Sequence, residues 1–349
     1  MNLEIATLLQ LLRVSLGISG SIELSCTINW AKVMNLSIMH GVHGVAFDAF
    51  EKLPAECRPS KDVFIRWAAH CLLLEDNYNR QWNVANKLVG FFEEKGIELT
   101  ILKGFSFAQY YANPKHRYSC DLDLFIEKGW DEACKILESK GIELEREVYK
   151  EVEFYIDNVY VECHRCITPF RGHRILQKFE LYIRELLHTD KKYFDNSRLI
   201  CPSIMFSVML FIEHALGDFL HGKLMLKHVV DWIVLRKQNL DWDEVEKKMI
   251  EFKFERFYQL INYLADVVEG KVNLESLPLS SQQVFKEIFS IKTKVNQERS
   301  WFKKRIFVFF DIINNKKRFQ EYGYCSMYSF LFNSLYTHFI KKEVKLSYN

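Results

Sequence analysis

Apolar residues recur at three- and four-residue spacing early in the chain, in Leu8, Leu11, Leu12 and Leu16 and again in Phe64, Trp67, Ala68 and Leu72. That is the spacing of one helix face. The pattern predicts helices from residue 3 to about 94, with breaks at Leu53-Pro54 and Arg58-Pro59. Residues 82–94 (WNVANKLVGFFEE) read as a further amphipathic helix ending near Gly96. The period then changes. Residues 97–102 (IELTIL) read as a buried strand, followed at once by Lys103-Gly104 and a short helix that Asn113-Pro114 ends. Residues 121–126 (DLDLFI) read as a second strand, and 130–140 as a helix closed by Gly141, a residue suited to a left-handed cap. Two more strands, 153–156 and 160–164, are joined at Asp157-Asn158, a pair that tolerates tight turns. From about residue 201 the helical period returns, over 204–216, 224–236 and 243–262.

The fold class is therefore α+β: a small mixed-sheet core at 96–195, flanked by helical regions at 1–95 and 196–349. Composition agrees. With 14 Gly and 6 Pro in 349 residues, turn signals are too few for a many-stranded sandwich. The 47 basic and 45 acidic residues nearly cancel, so no general attraction to nucleic acid or anionic membrane is expected. No apolar run approaches the roughly 18–20 residues a membrane span needs. The best runs, 205–212 and 306–313, are short, and Asp311 breaks the second. The first residues lack a basic stretch and a small-residue cleavage site, which favours an amphipathic helix over a signal peptide. Nine scattered cysteines suit reduced thiols, and the cytoplasm is the expected compartment. The Lys- and Phe-rich stretches at 302–310 and 339–345 read as packed helices with solvated basic faces.

The candidate chemistry lies in LKGFSFAQYYANPKHRYSCDLDLFI, residues 102–126. Asp121 and Asp123 are two apart on a strand, so they share a face about 6.5–7 Å apart. Two carboxylates so presented repel unless compensated, and hard oxygen donors suit Mg²⁺ or Mn²⁺. In the later hairpin Val159, Val161 and Cys163 share one face, and Tyr160, Glu162 and His164 the other. Glu162 thus becomes a third carboxylate on a neighbouring strand. Three such acids can hold one or two metal ions for phosphoryl or nucleotidyl transfer. At the strand-to-helix turn Gly104 would let a phosphate approach the helix N–H groups and Lys103 would add charge. Arg117 offers a bidentate phosphate contact.

These residues resemble the polymerase-beta-type nucleotidyltransferase superfamily, and most closely its bacterial group of uncharacterised nucleotidyltransferases. The matching residues are Leu102-Lys103-Gly104, Tyr110-Tyr111, Arg117, Asp121-Leu122-Asp123-Leu124 and Glu162-Cys163-His164. The likeness extends to His40-Gly41-Val42, to Glu213-His214, to His228 through Trp232 and to Asp241-Trp242. It implies that Asp121 and Asp123 bind the metal and that Glu162, as the third acid, helps to activate the attacking hydroxyl. Lys103, Gly104 and Arg117 would then bind the triphosphate of an NTP. The superfamily's usual turn is Gly-Ser; here it is Lys-Gly, and Ser106 is the candidate substitute. The group more often has Asp where this chain has Glu162. Abortive-infection toxin nucleotidyltransferases share the Lys-Gly turn and the run Arg117-Tyr118-Ser119-Cys120-Asp121, so a toxin-type, RNA-modifying role stays open. The other alternative is a non-catalytic module that binds a nucleotide or a partner; the enzyme reading requires Glu162 to point towards the Asp pair. The acceptor, a small molecule, sugar, protein or RNA, is not specified.

Weaker motifs carry less. The run Gly217 to Lys223 spells G-x-x-x-x-G-K, but Leu224 follows and the flank is helical, so a helix-connecting loop is expected. Cys163-His164-Arg165-Cys166 lacks a second ligand pair for zinc; His164 is the better candidate for contacting phosphate or acceptor. His214 and Asp231 are expected to line a cleft between the core and the C-terminal helices.

Overall fold

The computed structural model describes residues 2–22, 24, 28–146, 150–168, 173–189, 191–194, 197–290 and 313–332. The stretches at 302–310 and 339–345, and most of 306–313, lie outside them. Helix α1 (Leu3–Ser15) starts where the Asn2 side chain accepts from the Ile5 N–H, and it buries Leu8, Leu11 and Leu12. Short helices α2 (Trp30–Met39) and α3 (His43–Phe47) follow. Then α4 (Lys61–Phe92) runs unbroken, so the separate helix expected at 82–94 is the second half of one long element. Its buried face is Val63, Trp67, Cys71 and Leu74. Of the face expected from spacing, Phe64 and Leu72 are instead exposed, because the helix turns Val63 and Trp67 to the core.

The sheet has seven strands: β1 (Thr100–Ile101), β2 (Leu122–Phe125), β3 (Glu145–Arg146), β4 (Glu151–Ile156), β5 (Val159–His164), β6 (Lys192–Tyr193) and β7 (Ile200–Cys201). Their order is β3-β4-β5-β2-β1-β7-β6. The sheet is mixed, since β2 runs parallel to β5 and β1 parallel to β7, while the other pairs are antiparallel. The fold class is α+β. The strand expected over 97–102 is only two residues long, and β6 and β7, which carry little period-two signal, extend the sheet past it. Asp157 and Asn158 both adopt positive φ (51° and 61°), as a two-residue turn matched to the strand twist demands.

Helices α5 (Lys103–Ala108), α6 (Trp130–Ser139) and α7 (Arg174–Thr189) complete the middle of the chain. After it come α8 (Ile204–Leu220), α9 (Leu226–Leu235), α10 (Trp242–Glu251), α11 (Glu255–Glu269), α12 (Leu279–Ser290) and a helix at Lys316–Tyr322. The single helix expected over 243–262 is two. Lys253 takes φ 60° between them, and Phe252 and Phe254 both pack their rings edge-on against Phe179, at 5.1 and 5.3 Å. The G-x-x-x-x-G-K run is the last turn of α8 and its exit, with Gly222 at φ 70°. No helix among the described residues is long and apolar enough to cross a membrane.

Two cores lie on opposite faces of the sheet. One joins Leu122, Leu124, Val161 and Cys163 to the second half of α4 (Val84, Leu88, Phe92) and to α6 (Ala133, Leu137). The other joins α1–α3 and the first half of α4 to α7–α12, with Phe125 reaching it from β2. The N- and C-terminal helices thus share one core, tied by Arg13, which donates to the carbonyls of Val268 (2.6 Å) and Val267 (3.0 Å) at the end of α11. The strand face that carries the acids looks toward this larger helical mass.

Candidate active site

Strand alternation and register build the site. Leu122 and Leu124 go into one core, so Asp123 points to the other face. On β5 the same alternation turns Glu162 and His164 that way, and the parallel pairing sets Asp123 directly beside Glu162 and Phe125 beside His164. Asp123 is buried at 4% exposure. Its Oδ1 accepts from Lys103 Nζ at 2.6 Å and lies 2.9 Å from His164 Nε2. Glu162 Oε2 is 3.7 Å from the same imidazole nitrogen. Ligand atoms of Asp123, Glu162 and His164 lie within 4.8 Å of one another. Lys103 opens α5 with φ 42°, a left-handed conformation that costs a non-glycine residue about 1 kcal/mol or more. Strain at a residue that also holds a buried ion pair marks a position determined by its surroundings.

The charges respond to this crowding. Burial pushes the Asp123 carboxyl up, but Lys103 and His164 outweigh it and hold the group well below the usual carboxylate range. Glu162 goes the other way: burial, then repulsion from Asp123, raise it to about 7 against the pull of Lys103 and His164. Lys103 is held above its ordinary value, since Asp123, Glu162 and Asp121 outweigh the penalty of burying it. On the far side of the imidazole, His164 Nδ1 is 2.6 Å from Glu151 Oε2, at an ion-pair distance but an angle poor for a hydrogen bond. Burial would raise Glu151; His164 and Lys150 bring it down to about 2.

Asp121 precedes β2, half-buried, and stands outside the ligand-atom set. Burial and Asp123 raise its pKa, while Lys103 and Lys227 lower it. The backbone around it is held from α4, where Asn77 donates to the Ser119 carbonyl (2.8 Å) and Gln81 to that of Asp121 (3.0 Å).

Three expected phosphate ligands are occupied elsewhere. Arg117 spends its fork on Asp231, with Nε 3.0 Å from Oδ1 and Nη2 2.8 Å from Oδ2, and the Tyr111 hydroxyl donates to the same Oδ1 at 2.6 Å. Tyr111 and Asp231 are buried and the Arg117 side chain is only 10% exposed, so the pairing satisfies charges that would otherwise be stranded. The Arg117 guanidinium is thus paired with Asp231, and Asp231 faces this internal partner where a cleft lining is expected. Ser106 is wholly buried, with its Oγ 3.4 Å from Ser207 Oγ on α8. At Gly104 a Cβ would run into Ser119 Oγ and come within 3.1 Å of Arg117 Nη1. The glycine makes room for the 117–119 loop, where room for a phosphate was expected. His214 remains half-exposed on α8, 3.7 Å from Asp218 and within electrostatic reach of Lys103 and Asp123.

Other residues near the site received no role from the sequence. Glu151 was within reach of it: a turn centred on Asp157-Asn158 pairs Glu151 with His164 and Glu153 with Glu162. Glu213, buried on α8, is raised to about 7 by burial against the pull of Lys150 and Lys103. Lys227 extends its ammonium over the Tyr118 ring at 5.7 Å, and Gly41 (φ 65°) leaves room for both side chains. Cys163 and Cys166 fall in opposite cores, which separates the C-x-x-C pair.

A family model described as uncharacterised nucleotidyltransferase matches residues 27–268, which include every site residue above. No curated protein and no solved structure matches the chain.

Proposed function

The chain belongs to the uncharacterised nucleotidyltransferase family and is an enzyme of nucleotidyl transfer, and from that premise we propose a polymerase-beta-type reaction dependent on Mg²⁺ or Mn²⁺. In it a nucleoside monophosphate passes from an NTP to an acceptor hydroxyl. The observation that carries the reading is the meeting of Asp123 and Glu162 on paired strands with Lys103 against them. The donor set fits a divalent ion: two carboxylates converge beside the His164 imidazole, and hard oxygen donors suit Mg²⁺ or Mn²⁺. Asp123 and Glu162 would hold the ion, with Asp121 at its edge. When bound, the ion supplies charge neutralisation for the phosphates and polarises the bond to the leaving pyrophosphate.

The chain's own groups do the rest. Lys103 keeps Asp123 ionised and carries positive charge at the mouth of α5, where phosphate oxygens would meet it. Glu162, the third acid, would orient the acceptor's hydroxyl and accept its proton. His164, fixed between Asp123 and Glu151, orients the first carboxylate. Arg117 acts on the chemistry indirectly, by fixing the 117–121 loop through Asp231. The core at 96–195 performs the transfer, and the helical regions at 1–95 and 196–349 shape the acceptor side, with His214 facing it.

The test is incubation with each labelled NTP and Mg²⁺ or Mn²⁺, with cell extract divided into small-molecule, protein and RNA fractions. Label should enter one fraction, and Asp123→Asn should abolish it; no transfer with any NTP, or transfer that survives the substitution, overturns the mechanism. Label in the RNA fraction would select the toxin-type role. One observation favours the non-catalytic alternative: Lys103 alone already neutralises Asp123. Titration with Mn²⁺ separates the two, because a metal-free binding module gains no thermal stability from the ion.

A further inference from the structure

Helix α4 carries a face that nothing covers among the described residues. Ile65, Leu72 and Leu73 are 55%, 64% and 62% exposed. At about 100° per residue they fall with Ala69 on roughly 100° of the helix surface, a contiguous apolar strip. Its ends are charged. Asp62 pairs with Arg66 (2.8 Å) and Asp76 with Arg80 (3.1 Å), both exposed, each acid four residues before its base.

We propose that this strip is a homodimer interface, in which α4 packs antiparallel on α4 of a second copy about a two-fold axis near residue 71. The charge pattern singles out this occupant and this register. In an antiparallel pair centred there, Asp62 lies opposite the partner's Arg80 and Arg66 opposite the partner's Asp76. One axis satisfies both pairs, and symmetry repeats each, so four complementary charge contacts flank the apolar strip. Ala69 faces the partner's Leu73, and Leu72 lies beside its own symmetry mate at the axis. A parallel pairing would set each charge against its like. The contact is isologous and closed, as a two-fold requires. A strip one helix wide buries less than the roughly 800 Å² per partner of a standard interface, so the dimer is weak and depends on concentration. The same helix braces the 119–121 loop through Asn77 and Gln81, so the proposed interface adjoins the support of the active site.

Sedimentation of the full chain over a roughly hundredfold concentration range from low micromolar upward tests this. The weight-average mass should climb from 41.5 kDa toward twice that value. Leu72→Glu with Leu73→Glu should hold it at the monomer with an unchanged circular dichroism spectrum and melting temperature, since both side chains are solvent-exposed. Arg66→Glu should weaken association at least tenfold, and adding Asp76→Arg should restore most of the loss. Three results each overturn the proposal: a single mass of one chain throughout, dimerisation undiminished by the Leu72/Leu73 pair, or an Arg66/Asp76 double variant no better than Arg66→Glu. The charge-reversal pair leaves the apolar strip intact, so it decides the matter even if the leucine variants fold poorly.

Discussion

Replacing Glu162 with Gln should stabilise the free protein at alkaline pH while destroying its activity. In the fold the Glu162 carboxyl titrates near 7, where an unfolded chain has it at 4.5. The causes are burial and then Asp123, its register partner on β2. Between pH 4.5 and 7 the native state keeps a proton that the unfolded state has lost, so this group's contribution to stability falls as pH rises through that window. Above about 7 the full penalty stands. At 1.36 kcal/mol per unit the shift corresponds to at most about 3 kcal/mol; Glu162 keeps 22% of its side chain in solvent, which brings the figure to about 2 kcal/mol. Gln has the shape of the protonated acid and no charge to repel Asp123. Urea melts at pH 8 should therefore place Glu162→Gln about 2 kcal/mol above the parent, with the gap closing by pH 5. Glu213, raised in the same way, is present in both proteins and cancels from the difference. Saturating Mn²⁺ should reverse the order, since it rewards the ionised pair that only the parent owns. A variant less stable than the parent at pH 8, or an offset that does not change between pH 8 and pH 5, would refute the assignment of a raised carboxyl to Glu162.

Lys103→Met removes the cation from a buried ion pair and should cost about 3–5 kcal/mol near neutral pH. Mn²⁺ should recover more stability in that variant than in the parent, as differential scanning fluorimetry would read. Asp231→Asn strands Arg117 and should cost a similar amount, about 3–5 kcal/mol by urea unfolding; Tyr111→Phe removes one neutral donor and should cost about 1 kcal/mol. In Gly44→Ala the new methyl would meet the His116 carbonyl oxygen at 2.5 Å. Backbone on backbone cannot give way cheaply, so a loss of about 1–3 kcal/mol is expected in the same measurement.

What could be read from the sequence follows the range of the interactions. The acids of the site were legible because alternation is local: a strand period of two assigns Asp123, Glu162 and His164 to their faces without knowledge of the rest of the chain. The hairpin was equally local, and its turn at Asp157-Asn158 already implied that Glu151 opposes His164. The partner of Arg117 was not legible, for the opposite reason. An arginine four residues before an acidic strand looks like a phosphate ligand until Asp231, on a helix more than a hundred residues later, is brought against it. The burial of Ser106 under α8 was not legible for the same reason, nor was the face of α4, where Val63 and Trp67 take the core that Phe64 and Leu72 are expected to fill. The break at Lys253 has no proline or glycine to announce it; the packing of two phenylalanines on Phe179 makes it.

The pairing of Arg117 with Asp231 bears on how the site is built. With that guanidinium and Ser106 turned inward, the charge balance at the carboxylates rests on Lys103, the residue held in a left-handed conformation. For Lys103 to pass from Asp123 to a phosphate another cation would have to take its place, whereas Arg117, held to Asp231 by two hydrogen bonds, would leave a buried carboxylate behind on exchanging partners. The fold therefore separates two tasks that the motif seemed to combine. On the proposed function, Arg117, Asp231 and Tyr111 would support the loop, and Lys103, Asp123, Glu162 and His164 would be the set that meets the ligand. Only the second set should respond to metal or nucleotide. The Arg117 cluster should contribute to stability by the same amount whether or not a ligand is present.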